Sequence, residues 1–326
     1  MKRTKLTIGT RGSELAQWQT AWIAQRLQRS FPEVSLETVV IKTTGDKILD
    51  SPLSKIGDKG LFTKEIERAL LDGTIDLAVH SLKDLPTVVP QGLTIAVVTE
   101  REDVHDVFIS HPGKKYPSLK EVPRNGAIAT GSLRRKCQLL HHRPDIQIVD
   151  LRGSLRTRRE KLEKSDWDGM VLAKAGVTRL GWTEMISEVF EPDYMLPAVG
   201  QGALAVEIRQ DDRELLSILM PLNHFPTQQA TSSERALLRR LEGGCQIPIG
   251  TYGRIVDGTF LLDAIVGSLD GSTIVRGSIK GSPSESESLG RQLAEELVSK
   301  GAGKILDEIR KTVKGTIHVG SSGSNV

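Results

Sequence analysis

The first 200 residues alternate between strand-like and helix-like patterns, and this alternation constrains the fold more than any other feature of the chain. Apolar residues recur at helical spacing in Glu14–Arg29, Leu61–Leu71, Leu133–His142 and Leu155–Leu162. The strand-like runs are Lys5–Thr10, Val34–Lys42, Asp76–His80, Thr94–Thr99, Ala127–Thr130, Ile146–Leu151 and Met170–Ala173. Strands that alternate with helices predict an α/β layer structure with a largely parallel sheet.

Two polar segments indicate that the chain builds two such units in turn. Thr99–Asp106 and the proline-containing Glu191–Gly200 are candidate crossovers, and the strand-like Ala203–Ile208 would return to the first unit. After Pro221, strand-like segments with Asp-Gly turns predict a small α+β domain. The predicted domains are residues 1–98 with 200–220, residues 99–199, and residues 221–313, followed by a flexible tail at 314–326.

Composition and local pattern exclude several classes of protein. No apolar run approaches the roughly 20 residues of a membrane helix, and the basic N-terminus precedes a short strand-like run, unlike a signal peptide. Aromatic residues make up only 4% of the chain, which argues against stacking platforms for nucleic acid. Neither cysteine has metal-ligand spacing to a histidine, so no metal site is predicted. We expect a cytoplasmic monomer. Its two cysteines, Cys137 and Cys245, could pair, but in a cytosolic chain two cysteines are more often free thiols.

Arginine is concentrated in the short stretch from Gly131 to Arg159. The basic residues there are Arg134, Arg135, Lys136, Arg143, Arg152, Arg156, Arg158 and Arg159. Only Asp145 and Asp150 oppose them, whereas the whole chain carries a net charge of just +3. Because planar guanidinium groups suit carboxylates or phosphates bound through two hydrogen bonds, this stretch predicts a polyanionic ligand.

Three corners of the chain share one design, a strand followed by Gly-Ser and then a helix. They are Thr10-Arg11-Gly12-Ser13, Thr130-Gly131-Ser132 and Arg152-Gly153-Ser154. Each puts a serine near a helix N-cap and backbone N–H groups at the helix start, which together accept an anion. Ordinary helix capping is the alternative for any single corner. Corners at the carboxyl ends of strands would border one cleft.

Some of the arginines would also suit roles other than ligand binding. Arg158 and Arg159 would also suit a solvated helix face, and Arg179 would also suit a partner for the dipole at a helix C-terminus.

An acid–base candidate follows the strand-like run that ends at His80. In His80-Ser-Leu-Lys83-Asp84-Leu-Pro86, the carboxylate of Asp84 can exchange a proton or stabilise a cation that develops in a ligand. A local salt bridge between Lys83 and Asp84 is the alternative.

Two further segments are candidates for function. The long loop Gly45–Gly60, which contains Lys55 and Lys59, suits a lid, with a disordered insertion as the alternative. Cys245 follows two glycines and precedes a proline three residues later, a setting that suits a covalent anchor or nucleophile. An inert exposed thiol is the alternative there.

Taken together, these segments closely resemble the porphobilinogen deaminase (hydroxymethylbilane synthase) family, from about Ile8 to Val313. The motifs that carry the resemblance are Gly9-Thr-Arg-Gly-Ser13, Gly57-Asp-Lys-Gly-Leu-Phe62, His80-Ser-Leu-Lys-Asp-Leu-Pro86, Gly131-Ser-Leu-Arg-Arg135, Leu151-Arg-Gly153, Leu196-Pro-Ala-Val-Gly-Gln-Gly202 and Glu242-Gly-Gly-Cys-Gln-Ile-Pro-Ile-Gly250. The resemblance implies two domains like type II periplasmic binding proteins and a smaller α+β third domain. It also implies a transferase of haem biosynthesis. Four porphobilinogen molecules lose ammonia and join head to tail into hydroxymethylbilane on a dipyrromethane cofactor.

The resemblance also implies roles for individual residues. Asp84 would be the catalytic carboxylate, and Cys245 would hold the dipyrromethane through a thioether. The other implied cofactor-binding residues are Lys83, Ser132, Arg134, Arg135, Lys59 and Thr130. The implied substrate-binding residues are Arg11, Ser13, Arg152, Arg158 and Arg179.

Two other functions compete with this interpretation. A non-catalytic anion-binding protein would explain the arginines but not the setting of Cys245. A nucleic-acid-binding protein would explain the basic segment and the pI near 8.8, but not the near-neutral total charge or the scarcity of aromatic residues.

Overall fold

The structure, a computed structural model, describes residues 3–47, 60, 62–241 and 247–319, and of residues 46, 47 and 313–319 it describes the backbone only. The strands are β1 (Lys5–Thr10), β2 (Ser35–Val40), β3 (Leu77–Ser81), β4 (Leu93–Val98), β5 (Asp106–Ser110), β6 (Ala127–Ala129), β7 (Gln147–Val149), β8 (Gly169–Ala173), β9 (Glu188–Phe190), β10 (Leu204–Arg209), β11 (Ile249–Val256), β12 (Thr259–Gly267) and β13 (Ile274–Gly281).

The α-helices connect and cover these strands. They are α1 (Glu14–Ser30), α2 (Thr44–Lys47), α3 (Lys64–Leu71), α4 (Leu133–His142), α5 (Leu155–Lys164), α6 (Lys174–Arg179), α7 (Arg213–Leu219), α8 (Phe225–Arg240), α9 (Ser286–Leu297) and α10 (Gly303–Val319). A π-helical turn at Val298–Ala302 joins α9 to α10. Among the described residues, no helix combines the length and apolar character that a membrane span requires.

Two five-stranded sheets share one topology. The first has the order β2-β1-β3-β10-β4 and the second β7-β6-β8-β5-β9. In each sheet four strands run in one direction and one runs against them, β10 in the first and β5 in the second. Both exceptions are the strands that directly follow a crossover of the chain. The α/β class, with two α/β units and a smaller unit built on a three-stranded sheet, is thus as predicted.

The first sheet is buried on both faces, as its continuous apolar strands require. Ile23 and Leu27 of α1 and Leu215 of α7 pack on one face, against residues such as Ile8 and Val206. On the opposite face, Ile66 and Leu70 of α3 pack against Ala78 and Leu93. Each fully buried Leu or Ile contributes roughly 1.5–3 kcal/mol relative to an exposed one.

Several elements differ from the sequence-based prediction. The edge strand β9 has only three residues, and β5 begins inside the polar segment interpreted as a crossover, so neither was predicted. Helix α8 begins at Phe225, with His224 as its N-cap, whereas the sequence pattern predicts a helix over Ser232–Leu241. Helix α10 continues to Val319, so the predicted tail begins within a helix.

A buried ion pair joins both crossovers to the third unit. The guanidinium of Arg101, in the first crossover, donates to both carboxylate oxygens of Glu234 on α8, at 2.7 and 3.2 Å. The same carboxylate accepts the backbone N–H groups of Gly200 (2.7 Å), in the second crossover, and Gly253 (2.8 Å), on β11. Glu234 is fully buried. Its carboxylate joins the first crossover, the second crossover and β11 to α8.

Helix α4 of the second unit packs against two glycines of the third unit. A Cβ added at Gly267 would lie 2.7 Å from the Cys137 sulfur, and one at Gly271 would lie 2.5 Å from the Cys137 carbonyl oxygen. His141 Nδ1 is 3.0 Å from the Gly271 carbonyl oxygen. Cys137 is therefore a buried packing residue, and burial raises the pKa of its thiol to about 12.

We expect Gly271→Ala to destabilise the protein more than Gly258→Ala. Both glycines have positive φ, +71° and +75°, so alanine costs roughly 1–2 kcal/mol at either position. Only Gly271 faces backbone atoms of α4, whereas nothing lies within 4 Å of a Cβ at Gly258. Overpacking should add about 1–3 kcal/mol at Gly271, measured by urea unfolding. Equal losses in the two variants would contradict this account of how α4 is docked.

Candidate active site

The three Gly-Ser corners lie at the carboxyl ends of β1, β6 and β7, and each serine caps the helix that follows. Ser13 accepts the N–H of Ala16 (3.3 Å), Ser132 that of Arg135 (3.4 Å), and Ser154 that of Thr157 (3.2 Å). All three serines therefore cap the helices that follow them, as the sequence pattern predicts. Buried Thr130 supports the second corner, because its Oγ1 accepts the N–H of Ser132 at 3.3 Å.

Asp84 lies in a 3₁₀ turn, Leu82–Asp84, that directly follows β3. Its side chain is exposed, whereas the turn itself is fixed from several sides. Before the turn, the hydroxyl of Ser81 bonds to buried Gln19 of α1, 2.9 Å from Nε2. Within it, the N–H of Leu82 donates to the carbonyl of Ala203 at 3.0 Å.

After the turn, α8 holds the chain. The guanidinium of Arg235 donates to the carbonyls of Leu85 (3.4 Å) and Pro86 (2.6 Å), and that of Arg239 donates to the carbonyl of Thr87 (3.0 Å). The backbone that carries the exposed Asp84 carboxylate thus contacts both the first sheet and the third unit.

Arg134 and Arg135 converge on one buried carboxylate, that of Asp106 at the start of β5. Arg134 Nη1 lies 2.5 Å from Asp106 Oδ2, and Nε and Nη2 of Arg135 lie 3.1 and 2.8 Å from Oδ1. Gln201 Nε2 donates to Oδ1 at 2.9 Å. Burial raises the pKa of Asp106, but the two guanidinium groups outweigh that effect and hold it well below its usual range.

Neither arginine uses all of its N–H groups in this cluster. Arg134 also donates to the carbonyl of Leu196 (2.7 Å) and Arg135 to that of Val171 (3.0 Å). Within the described part of the chain, the buried Nε of Arg134 has no hydrogen-bond partner. A buried guanidinium donor without a partner is costly, so a ligand that accepts from it would be stabilised.

Lys83 and Arg158 bring the charges of the two sheets together. Burial lowers the pKa of Lys83 to about 8, with Asp84 and Asp106 opposing the fall and Arg135 and Arg134 adding to it. Burial also lowers the pKa of Arg158 to about 10, and this guanidinium interacts with Arg135, Asp84 and Arg152. Asp84 of the first sheet therefore lies within electrostatic range of Arg158 from the second.

Arg158 and Arg152 are held at the third Gly-Ser corner. Arg158 Nε donates to the carbonyl of Gly153 at 2.9 Å, and Arg152 Nε lies 3.5 Å from Asp150 Oδ2. Gly153 has a φ of +112°, a backbone conformation that side chains rarely adopt, so glycine is needed at this corner.

Arg11 directly follows β1, and Arg179 is the last residue of α6. The Arg11 guanidinium stacks over the ring of Phe62 at 4.2 Å. Arg179, at the end of α6, donates to the carbonyl of Gly202 at 2.6 Å and lies 5.9 Å from the ring of Trp18 on α1. Burial lowers the pKa of Arg179 to about 10, and Glu102 opposes that effect.

The remaining arginines of the cluster are bound elsewhere on the surface. Arg143 pairs with Asp145 at 2.8 Å, and Arg156 and Arg159 pair one helical turn along α5 with Glu160 (3.4 Å) and Glu163 (2.8 Å). The Arg159 side chain is 40% exposed, as a solvated helix face predicts. Arg158 instead interacts with the charges of Arg135, Asp84 and Arg152.

Three residues singled out in the sequence fall outside this description. Cys245, Lys55 and Lys59 lie outside the described residues, and so does most of the loop Gly45–Gly60. Helix α8 ends at Arg240, five residues before Cys245. Lys83 and Asp84 do not form a salt bridge, because the Lys83 ammonium and the Asp84 carboxylate are not within 4.0 Å of each other. Their charges nevertheless interact.

The sequence analysis missed two residues that support the site, Asp106 and Gln201. Gln201 is fully buried and bonds to the carbonyl of Val104 (2.7 Å) as well as to Asp106. The signals were present: Asp106 directly precedes the apolar run Val107–Ile109, and Gln201 stands between two glycines. A charged or amide residue flanked in this way is a candidate for a buried hydrogen-bonding role.

We expect Asp106→Asn to cost about 3–5 kcal/mol of unfolding free energy at pH 7, because it leaves two buried guanidinium groups without their counter-ion. Asp145→Asn is the control, since solvent screens its pair with Arg143 and the loss should be much smaller. The stabilisation by Asp106 is present above the unfolded pKa of about 3.9 and is lost as the pH falls below it. Urea unfolding at pH 7 and pH 3 tests both points. Equal losses in the two variants would contradict the central role of Asp106.

Solved structures with a similar fold include periplasmic binding proteins. One is an arginine-specific binding protein from Salmonella typhimurium, with a TM-score of 0.39 and 14% identity, covering 72% of this chain and 97% of that chain. Another is the aliphatic sulphonate binding protein SsuA from Escherichia coli, with a TM-score of 0.38 and 16% identity, covering 74% of this chain and 71% of that chain.

Sequence comparisons give a closer relationship. The family model described as "Porphobilinogen deaminase, dipyromethane cofactor binding domain" matches residues 6–217, and "Porphobilinogen deaminase, C-terminal domain" matches residues 229–299. Porphobilinogen deaminase from Carboxydothermus hydrogenoformans is 52% identical over 309 residues, covering 95% of this chain and 98% of the relative. The protein of that name from Chlorobaculum tepidum is 53% identical over 313 residues, covering 95% and 99%. The chain therefore belongs to the porphobilinogen deaminase family.

Proposed function

We propose that this protein is a transferase of tetrapyrrole biosynthesis that deaminates four porphobilinogen molecules and condenses them head to tail into hydroxymethylbilane. The observation that carries the proposal is the exposed carboxylate of Asp84, which interacts with the positive charges of Lys83 and Arg158. Such an arrangement suits a ligand that has anionic arms and develops positive charge at its reacting centre. Family membership supports the same reaction.

The residues present fit a dipyrromethane cofactor, which carries several carboxylate arms. We infer that the family's cofactor-binding positions hold those arms here, namely Lys83, Ser132, Arg134, Arg135, Thr130 and Lys59. The unpartnered Nε of Arg134 supports this assignment, because a carboxylate would satisfy it. Cys245 would provide the thioether. When bound, the cofactor supplies the nucleophilic pyrrole carbon to which the first substrate is joined.

Asp84 is assigned the catalytic role. Its carboxylate can accept the N–H of a pyrrole ring and stabilise the positive charge that develops as ammonia leaves. The turn that carries it is fixed on both sides, so the carboxylate is positioned before substrate arrives. A group that needs no reorganisation during the reaction lowers the barrier most effectively.

The substrate arms are assigned to the residues farther along the cleft. Arg152 and Arg158 come from the second sheet, and Arg11 and Ser13 come from the first. Arg179 lies at the junction between them. We also propose the domain division at residues 1–98 with 200–220, 99–199 and 221–313, and a monomeric protein acting in the cytoplasm.

The proposed reaction predicts a mass spectrum that changes in steps. Purified protein should exceed its sequence mass by one dipyrromethane, and porphobilinogen should add increments of one pyrrole unit. Cys245→Ser removes the nucleophilic sulfur and should give protein at its sequence mass with no turnover. Cys137→Ser is the control, because Cys137 is buried and its thiol is unreactive, so the increments should remain. Full turnover by Cys245→Ser would contradict the covalent attachment, and wild-type protein that never consumes porphobilinogen would contradict the function.

Asp84→Asn should keep the fold and the cofactor but lower kcat by about 10²–10⁴-fold, the usual contribution of a positioned acid–base group. Asp72→Asn, on the surface at the end of α3, is the control and should leave kcat unchanged. The measurement is porphobilinogen consumption per mole of cofactor-loaded protein. Near-normal turnover in the Asp84 variant would remove the catalytic role.

A further inference from the structure

A buried group of ionisable side chains lies behind the turn that carries Asp84, and the proposed reaction does not use it. Its members are Glu207 (0% exposed), His80 (5%) and Glu67 (7%). In the antiparallel pair β3–β10, His80 lies opposite Ala205 and Glu207 lies opposite Ala78. His80 and Glu207 are therefore diagonal neighbours on one face of the sheet, the face that α3 covers.

Only neighbouring charged side chains compensate the cost of burying the Glu207 carboxylate among the described residues. Its Oε2 lies 3.0 Å from His80 Nε2, without the alignment of a hydrogen bond. Within the described residues, neither of its carboxylate oxygens accepts a hydrogen bond. A fully buried carboxylate is costly unless neighbouring groups compensate it, and the His80 imidazole, 3.0 Å away, is one such group.

A second positive group, Arg235 of α8, interacts with the same carboxylate. Burial lowers the pKa of Arg235 to about 10, the nearby Arg239 adds to the fall, and Glu207 opposes it. This guanidinium donates to the carbonyls of Leu85 and Pro86, directly after Asp84. Glu207 therefore acts on a group at each end of the turn.

The third member, Glu67 of α3, favours a single negative charge in the group. Burial raises the pKa of Glu67, a hydrogen bond with Thr63 opposes the rise, and the carboxylate of Glu207 adds to it. Two buried carboxylates that interact in this way resist ionising at once.

We propose that Glu207 is a positioning residue for the reaction assigned above, and this inference rests on that proposed function. Its carboxylate holds His80, four residues before Asp84, and orients Arg235, which binds the two residues after Asp84. With both ends fixed, the turn presents Asp84 at one position in the cleft. Glu207 reaches the substrate only through these groups and is not itself a catalytic residue.

The test is Glu207→Gln, which keeps the size of the side chain and removes its charge. The expected result is a fall in kcat on the order of 10–100-fold per mole of cofactor-loaded protein, because small displacements of a catalytic group have effects of that size. KM for porphobilinogen should stay within about twofold, since the arginines that bind the substrate arms are unchanged. Glu207→Asp, which keeps the charge, should recover part of the loss.

Asp168→Asn is the matched control for loss of a buried carboxylate. Asp168 is 8% exposed, pairs with Lys114 at 2.8 Å and accepts the N–H of Ala127 at 2.7 Å, all within the second unit. It should lose stability in urea without a change in kcat per loaded protein. If Glu207→Gln does not fold, His80→Gln tests the same turn with the same readout.

Four results would separate the possibilities. Full kcat in loaded Glu207→Gln, or an equal fall in Asp168→Asn, would overturn the positioning role and leave the proposed function intact. The same holds for full kcat in loaded His80→Gln when it replaces Glu207→Gln. A wild-type protein that does not consume porphobilinogen would overturn the proposed function and the positioning role with it.

Discussion

The carboxylate of Asp106 is the interaction on which the site depends. It begins the first strand after the crossover, it is fully buried, and it compensates the charges of Arg134 and Arg135. Without it, two guanidinium groups would be buried side by side with no counter-ion, at a cost of several kcal/mol. Gln201, from the second crossover, binds the same oxygen as Arg135. One side chain thus joins the arginine cluster to the segment that returns to the first sheet.

Helix α8 gives the third unit a comparable role on the other side of the cleft. Glu234 gathers both crossovers through Arg101 and Gly200, and Arg235 on the next position binds the backbone after Asp84. The same helix then leads toward Cys245. A unit that carries the proposed cofactor anchor therefore also contacts the turn that carries the proposed catalytic carboxylate.

Local patterns predicted much of the fold, and the failures have physical causes. The Gly-Ser corners specify helix starts because the serine caps act within four residues, and all three were placed correctly. Strand β5 was missed because its first residue, Asp106, is charged, and its burial depends on arginines 28 and 29 residues away. Arg158 and Arg159 are adjacent in sequence. Only tertiary packing decides that Arg158 interacts with the charges of Arg135 and Asp84, whereas Arg159 pairs with Glu163 on the surface.

By itself, the sequence determined the α/β class, the starts of the capped helices and the family, because these depend on periodicity, short-range capping and ordered motifs. Only the tertiary structure decided which arginines meet, that Asp106 holds two of them, and that Glu207 lies behind the Asp84 turn. Those relations join residues that are far apart in the chain. They arise because a charge can be buried only where folding brings an opposite charge to it.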